Sequence, residues 1–115
     1  MRSLGIYRVD EPGAEGTDLP EEEIVKWILE PLANVQRFQI MNALATQTRT
    51  FSDFSALTGL KGGNLLFHIR KLTESGMILQ RHERGDYVIT DKGYKAVKEI
   101  AAIFRSLNPE RMRDK

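Results

Sequence analysis

Lys61, Asn64, Phe67, Arg70 and Lys71 fall along the stretch Gly62-Gly63-Asn64-Leu65-Leu66-Phe67-His68-Ile69-Arg70-Lys71-Leu72. In the same stretch Leu65, Ile69 and Leu72 are spaced four and three apart. On an α-helix those three make one buried stripe; Asn64, Phe67, Arg70, Lys71 and Glu74 fall off it, and Leu66 and His68 sit on its shoulders. Side chains of these types suit the edges of base pairs: an Asn can pair with adenine and an Arg with guanine, while Lys61 and Lys71 suit phosphate. Phe67 meets either a thymine methyl or another packed surface. Gly62-Gly63 is a poor helix start. It either lets the backbone approach a phosphate with its free N–H groups or serves as a flexible lead-in.

Other elements must hold this helix, expected over Gly63 to Ser75. Ser52 is a plausible N-cap for a short preceding helix, with Asp53 in its first turn and Phe54 and Leu57 on one face. Gly59 ends that helix and Leu60 returns to the core. Gly76 is the expected C-cap of the second helix. Ile78 to Arg81 and Tyr87 to Thr90 are β-prone runs around His82-Glu83-Arg84-Gly85-Asp86, with Gly85 supplying the turn. Arg81 and Arg84 stand at its tip. Thr90 then caps a last helix, in which Tyr94, Val97, Ile100-Ala101, Phe104 and Leu107 recur every three or four residues until Asn108-Pro109.

Upstream, Met1 to Leu19 reads as a flexible segment, with one short strand expected over Leu4 to Val9. Asp18-Leu19-Pro20 followed by three glutamates starts a helix, Asp18 or a neighbour capping and Pro20 in the first turn. Ile24, Trp27 and Ile28 are its apolar stripe, and Pro31 should end or kink it. Asn34 caps the next helix, with Val35, Phe38, Met41 and Leu44-Ala45 on one face and Ile40 elsewhere. Thr50-Phe51 is a candidate minimal strand beside the hairpin.

Three motifs carry a resemblance: Leu65-x-x-His68-Ile69-x-x-Leu72-x-x-Ser75-Gly76-Met77-Ile78, Gly85-Asp86-Tyr87-x-Ile89-Thr90-x-x-Gly93, and Leu32-Ala33-Asn34-Val35-Gln36-Arg37-Phe38 followed by Ile40-Met41 and Leu44. In this order they resemble ArsR-like regulators, particularly the archaeal branch, from about Pro31 to Phe104. The order of elements alone reaches the same α+β, mainly α class: a winged helix-turn-helix with extra N- and C-terminal helices over residues 20–108, and a polar tail over 109–115. The resemblance implies a transcriptional regulator that binds double-stranded DNA. Its second motif helix would lie in the major groove and its wing on the adjacent backbone or minor groove. It also implies that the first and last helices form a homodimer, here through Ile24, Trp27, Ile28, Val97, Ile100, Ala101 and Phe104. The DNA contacts expected are Lys61, Gly63, Asn64, Phe67, Arg70, Lys71, Arg81 and Arg84. The alternative is a winged-helix module that binds protein rather than DNA.

Composition bounds these expectations. The chain has 115 residues, no Cys, and a net charge of +1. The lack of Cys rules out a thiolate metal site and favours a cytoplasmic home. No apolar run approaches the ~20 residues of a membrane span. Charge is unevenly placed: residues 1–30 carry eight acids against Arg2, Arg8 and Lys26, whereas Lys61, Arg70, Lys71, Arg81 and Arg84 face only Glu74 and Glu83 over residues 61–84. That asymmetry suits a polyanionic partner. His68 and His82, the only histidines, have no metal-ligand spacing, and His68 is expected to be a hydrogen-bonded helix residue. No nucleophile–base pair or glycine-rich phosphate loop is present, so no catalysis, cofactor or resident metal is expected; any small-molecule effector is left open.

Overall fold

The computed structural model describes residues 5–7, 9–10, 18–82, 85–108 and 110. Arg84 and most of the terminal segments therefore lie outside the described residues. Gly5 to Tyr7, part of the strand expected over Leu4 to Val9, form no strand; Ile6 and Tyr7 are exposed.

The first helix, α1, is one continuous run in three registers: α-helical over Glu21–Ile24, π-helical over Val25–Leu29, and α-helical again over Glu30–Leu32. Pro20 occupies the N-cap, and no side chain, Asp18 included, caps this end. Pro31 does not end the helix at once. Having no N–H, it cannot close an α-helical turn, and the wider turn just before it ends with Glu30 N–H donating to the Val25 carbonyl. The run stops one residue past the proline, at Leu32.

Helix α2 spans Val35–Leu44, with Asn34 accepting from Arg37 N–H as its cap. Its buried side is Arg37, Ile40, Met41 and Leu44, so two expectations are corrected: Ile40 is fully buried, and Val35 is 70% exposed. The buried stripe is rotated because a charged residue belongs to it. Arg37 is buried with its own set of acceptors, which an apolar periodicity cannot register.

Helix α3, Phe51–Thr58, is capped by Thr50 rather than Ser52. The Thr50 hydroxyl accepts from Asp53 N–H, and the Asp53 carboxylate accepts from Thr50 N–H, a reciprocal capping box. Phe51 is thus helical, and the strand stub sits one step earlier: Arg49 exchanges both backbone hydrogen bonds with Tyr87, at 3.2 and 2.7 Å. Helix α4 spans Gly62–Glu74 and closes on Gly76 at φ +79°. There Met77 N–H reaches the Leu72 carbonyl and Gly76 N–H reaches the Thr73 carbonyl, a Schellman closure.

Strands β1, Ile78–Gln80, and β2, Tyr87–Ile89, pair antiparallel with Ile78 opposite Ile89 and Gln80 opposite Tyr87. Helix α5, Asp91–Leu107, starts at Thr90, whose hydroxyl accepts from Gly93 N–H. Gly93 is buried where α5 crosses the hairpin; a Cβ there would collide with the Met77 carbonyl and meet Ile89 Cγ1 at 2.9 Å. The core gathers Leu32, Ile40, Met41, Leu44, Phe54, Leu65, Ile69, Leu72, Met77, Ile78 and Tyr87, so every element through β2 contributes to it. Apart from the close approach at Gly93, helix α5 adds partly buried hydrophobic residues, Ala96, Val97 and Ile100. Among the described residues, no helix is long and apolar enough to cross a membrane.

Candidate nucleic-acid interface

The turn between α3 and α4 sets the pose of α4. Gly59 takes φ +80°, a conformation that costs a side chain but not glycine. Ser55 Oγ donates to the Leu60 carbonyl at 2.7 Å, and Thr58 Oγ1 accepts from Leu60 N–H at 3.1 Å. Two hydroxyls thus fix the turn, and Leu60 packs against the core. Helix α4 then buries Leu65, Ile69 and Leu72 and leaves Lys61, Gly62, Gly63, Asn64, Phe67 and Arg70 exposed. Lys61 is the N-cap residue and its side chain does not cap. The first-turn amides therefore face outward without a side-chain partner, at the positive end of the helix dipole.

The expected contact residues do not share one state. Lys61, Asn64 and Arg70 are exposed, and among the described residues their side chains make no hydrogen bond or ion pair. Phe67 is 54% exposed, edge-on to His68, with the Lys71 ammonium 5.5 Å from its ring centre. Lys71 is half-buried and pairs with both Glu30 carboxylate oxygens, at 3.0 and 3.3 Å. Arg81 holds Asp86 through two hydrogen bonds of 2.9 and 2.6 Å across the base of the hairpin loop. Gly85, at φ +75°, donates its N–H to the Arg81 carbonyl and closes that loop.

Arg37 was legible as a motif residue but not as a hub. Its Nε donates to the Pro31 carbonyl at 2.5 Å, its Nη2 to the Glu30 carbonyl at 3.0 Å, and its Nη1 meets His68 Nδ1 at 2.8 Å. It thereby satisfies the Pro31 carbonyl at the end of α1 and gives the Glu30 carbonyl, which already accepts from Ala33 N–H at 3.3 Å, a second donor. A guanidinium only donates, so Nδ1 is the accepting nitrogen and the neutral ring carries its proton on Nε2. Burial, then the Arg37 and Lys71 charges, push the His68 pKa below its ordinary value. His68 is a hydrogen-bonded helix residue, as expected.

The outer helices form a second surface. Ile24, Val97, Ile100 and Ala101 are half-buried, while Trp27, Ile28 and Phe104 are 40–43% exposed. Between α1 and α5 lies an open apolar groove of about 760 Å³, with Met77 at its floor and Ile28, Leu29, Leu32, Ile100 and Ile103 on its walls. Leu29 was missed in sequence because it falls off the α-helical stripe, and Ile103 because the stripe through Phe104 was followed instead of the one that runs Ala96, Ile100, Ile103 and Leu107. Leu29 lies in the π-helical turn, which shifts the facing of residues after it; Pro31 is the only signal of that turn.

Comparison with known proteins agrees with this architecture. Residues 34–79 match the family described as "Bacterial regulatory protein, arsR family". That stretch runs from the cap of α2 into β1 and contains the helix-turn-helix. No curated protein matches the chain. Among solved structures, the chain is similar to the homodimeric winged helix-turn-helix DNA-binding domain of Mb0332 from Mycobacterium bovis, a possible ArsR-family transcriptional regulator, with TM-score 0.64, 19% identity, and coverage of 81% of this chain and 87% of that one. It is also similar to NolR from Sinorhizobium fredii (TM-score 0.62, 22% identity, 78% and 97% covered). A MarR-family regulator from Enterococcus faecalis superposes with TM-score 0.69 at 18% identity, covering 89% of this chain and 96% of that one. These likenesses show the winged helix-turn-helix fold.

Proposed function

We propose that this chain is a sequence-specific, double-stranded DNA-binding transcriptional regulator acting in the cytoplasm as a homodimer. The observation that carries this reading is the outer face of α4. It is solvent-open from its uncapped N-terminus to Arg70 while the opposite side is wholly buried, so the helix is held rigid and presented outward. In the proposed pose α4 enters the major groove and the hairpin lies on the adjacent backbone or minor groove. Asn64, Phe67 and Arg70 address base edges; Lys61 and the amides at Gly63 address phosphate. Lys71 and Arg81 join by exchanging Glu30 and Asp86 for phosphate. The Lys71–Glu30 pair is part-exposed, with 32% and 49% of the two side chains open, so it gives up little. Arg84 extends the wing contact.

The apolar groove between α1 and α5 supports the dimer, because Ile28, Leu29 and Ile103 on its walls, with Trp27 and Phe104 exposed on the same two helices, need a cover. A second copy would place two α4 helices about 34 Å apart, one turn of B-DNA.

The test is fluorescence anisotropy with random-sequence duplex at several salt concentrations, alongside the mass in solution. We expect a dimer mass and a log–log salt slope of about −0.9 per phosphate neutralised. A folded protein that binds no duplex at low salt overturns the reading and points to a protein-binding module.

A further inference from the structure

The contact between Arg37 and His68 joins two regions that the proposed function keeps apart. Arg37 grips the C-terminal end of α1 through the Glu30 and Pro31 carbonyls, while His68 sits on α4 one turn beyond Asn64 and beside Phe67. We propose that Arg37 is a positioning residue that sets α4 against the end of α1, and that a proton on His68 Nδ1 releases this hold and weakens DNA binding. The proposal rests on the DNA-binding reading above.

The chemistry is direct. An imidazolium donates from both nitrogens and has no lone pair for Arg37. Protonation therefore turns a 2.8 Å hydrogen bond into a contact between two donors that are both cationic. The charged groups around His68 add to the repulsion. Arg37 faces it from α2 and Lys71 from its own helix, and both lower its pKa. From α1 comes Glu30, already engaged by Lys71 at 3.0 Å and by Arg37 at 3.9 Å. Strand β1, packed on the other side of α4, offers Ile78, Leu79 and Gln80, none of them titratable. The direction of the resulting linkage is fixed. With the folded pKa below the ordinary 6.5, the unfolded chain binds more protons in that interval. The contribution is therefore complete above 6.5 and is lost as pH falls through the lowered folded value.

The test compares wild type with His68→Asn, each also carrying His82→Gln so that one histidine remains to titrate in the first and none in the second. Asparagine keeps an acceptor close to the position of Nδ1 and takes no proton. Amide exchange, corrected for its intrinsic pH dependence, is followed over residues 30–33 and 64–70 from about pH 7.5 to 5, with the His68 ring signals recorded by NMR. Anisotropy with a random-sequence duplex at fixed ionic strength is read over the same range. In the protein retaining His68, exchange in both segments should rise with the ring titration, and duplex affinity should fall by roughly fivefold or more. The His68→Asn protein should show flat exchange and an affinity that only climbs as net positive charge grows. Identical profiles overturn the proposal. If neither protein binds duplex at pH about 7.5 in low salt, the DNA-binding reading fails, and with it the stated effect on DNA; the exchange comparison still decides whether the hold exists. Arg37→Lys is the second variant: a single nitrogen cannot reach three acceptors, so it should abolish the difference between the pH limits. If it does not fold, the His68 pair decides alone.

Discussion

Phe54 on α3 and Trp27 on α1 are both large aromatic residues on amphipathic helices, yet Phe54 is fully buried and Trp27 is 40% exposed. Phe54 stacks at a tilt on Tyr87, ring centres 5.4 Å apart, inside a core shared by α2, α4 and the hairpin. Trp27 has the Lys26 ammonium 4.8 Å from its ring and precedes Ile28, a wall of the open groove. The helix-turn-helix and hairpin thus share one aromatic-centred core, whereas α1 and α5 carry apolar surface that the other described residues leave open. Burial in the first region specifies the fold; exposure in the second is what the proposed dimer would cover.

The largest expected effect breaks this comparison on the buried side. Phe54→Ala should cost about 3–5 kcal/mol in denaturant unfolding, because it removes a fully enclosed ring and leaves a cavity beside Tyr87. Trp27→Ala, tested the same way at low protein concentration, should cost far less. Equal losses would mean that α1 belongs to the core as much as α3 does. On the exposed side, Ile103→Glu should weaken self-association by about 2 kcal/mol or more. It should leave monomer stability within about 0.5 kcal/mol, since Ile103 is 55% exposed. Concentration-dependent mass measurements check it, and an unchanged mass would remove the groove from the dimer interface.

How much of this was legible depends on what held each element in place. The stripe Leu65, Ile69 and Leu72, the closure at Gly76 and the Thr90 cap could be read because local periodicity and local hydrogen bonds decide them. Ile40 and Val35 were misplaced because a buried arginine shares the stripe, and its acceptors lie on two other elements. Thr50 was passed over for Ser52 because both are good caps at adjacent ends; the Asp53 carboxylate, spaced three from Thr50, selects between them. Residue types named the outer face of α4, but that Lys71 and Arg81 already hold carboxylates was invisible, since Glu30 is 41 residues from Lys71. Arg81–Asp86, only five apart, depends on the shape of the loop.

Within the open face of α4, the base-reading part of the proposal makes the next prediction. Arg70→Ala should weaken binding to a selected site by about 1–3 kcal/mol and relax preference at the contacted position. Competition among variant duplexes checks it. An equal loss on every sequence would make Arg70 a phosphate contact.

The smallest effect separates free from paired cations on one helix. Lys61 has no partner among the described residues, whereas Lys71 holds Glu30. If both meet phosphate, Lys61→Ala should reduce the salt slope by about one unit and leave folding unchanged. Lys71→Ala should give a smaller change in slope, because neutralising phosphate with Lys71 first frees a Glu30 carboxylate that repels the same polyanion. It should also cost a few tenths of a kcal/mol in stability, as part-exposed pairs do. Salt titrations of the two variants, run beside unfolding curves, read both terms. A larger slope change for Lys71 would mean that the freed Glu30 carboxylate does not oppose the polyanion and that α4 sits deeper than its free cations suggest. The double variant Glu30→Gln/Lys71→Ala then isolates that cost, since removing the carboxylate takes away the repulsion and leaves only the lost phosphate contact.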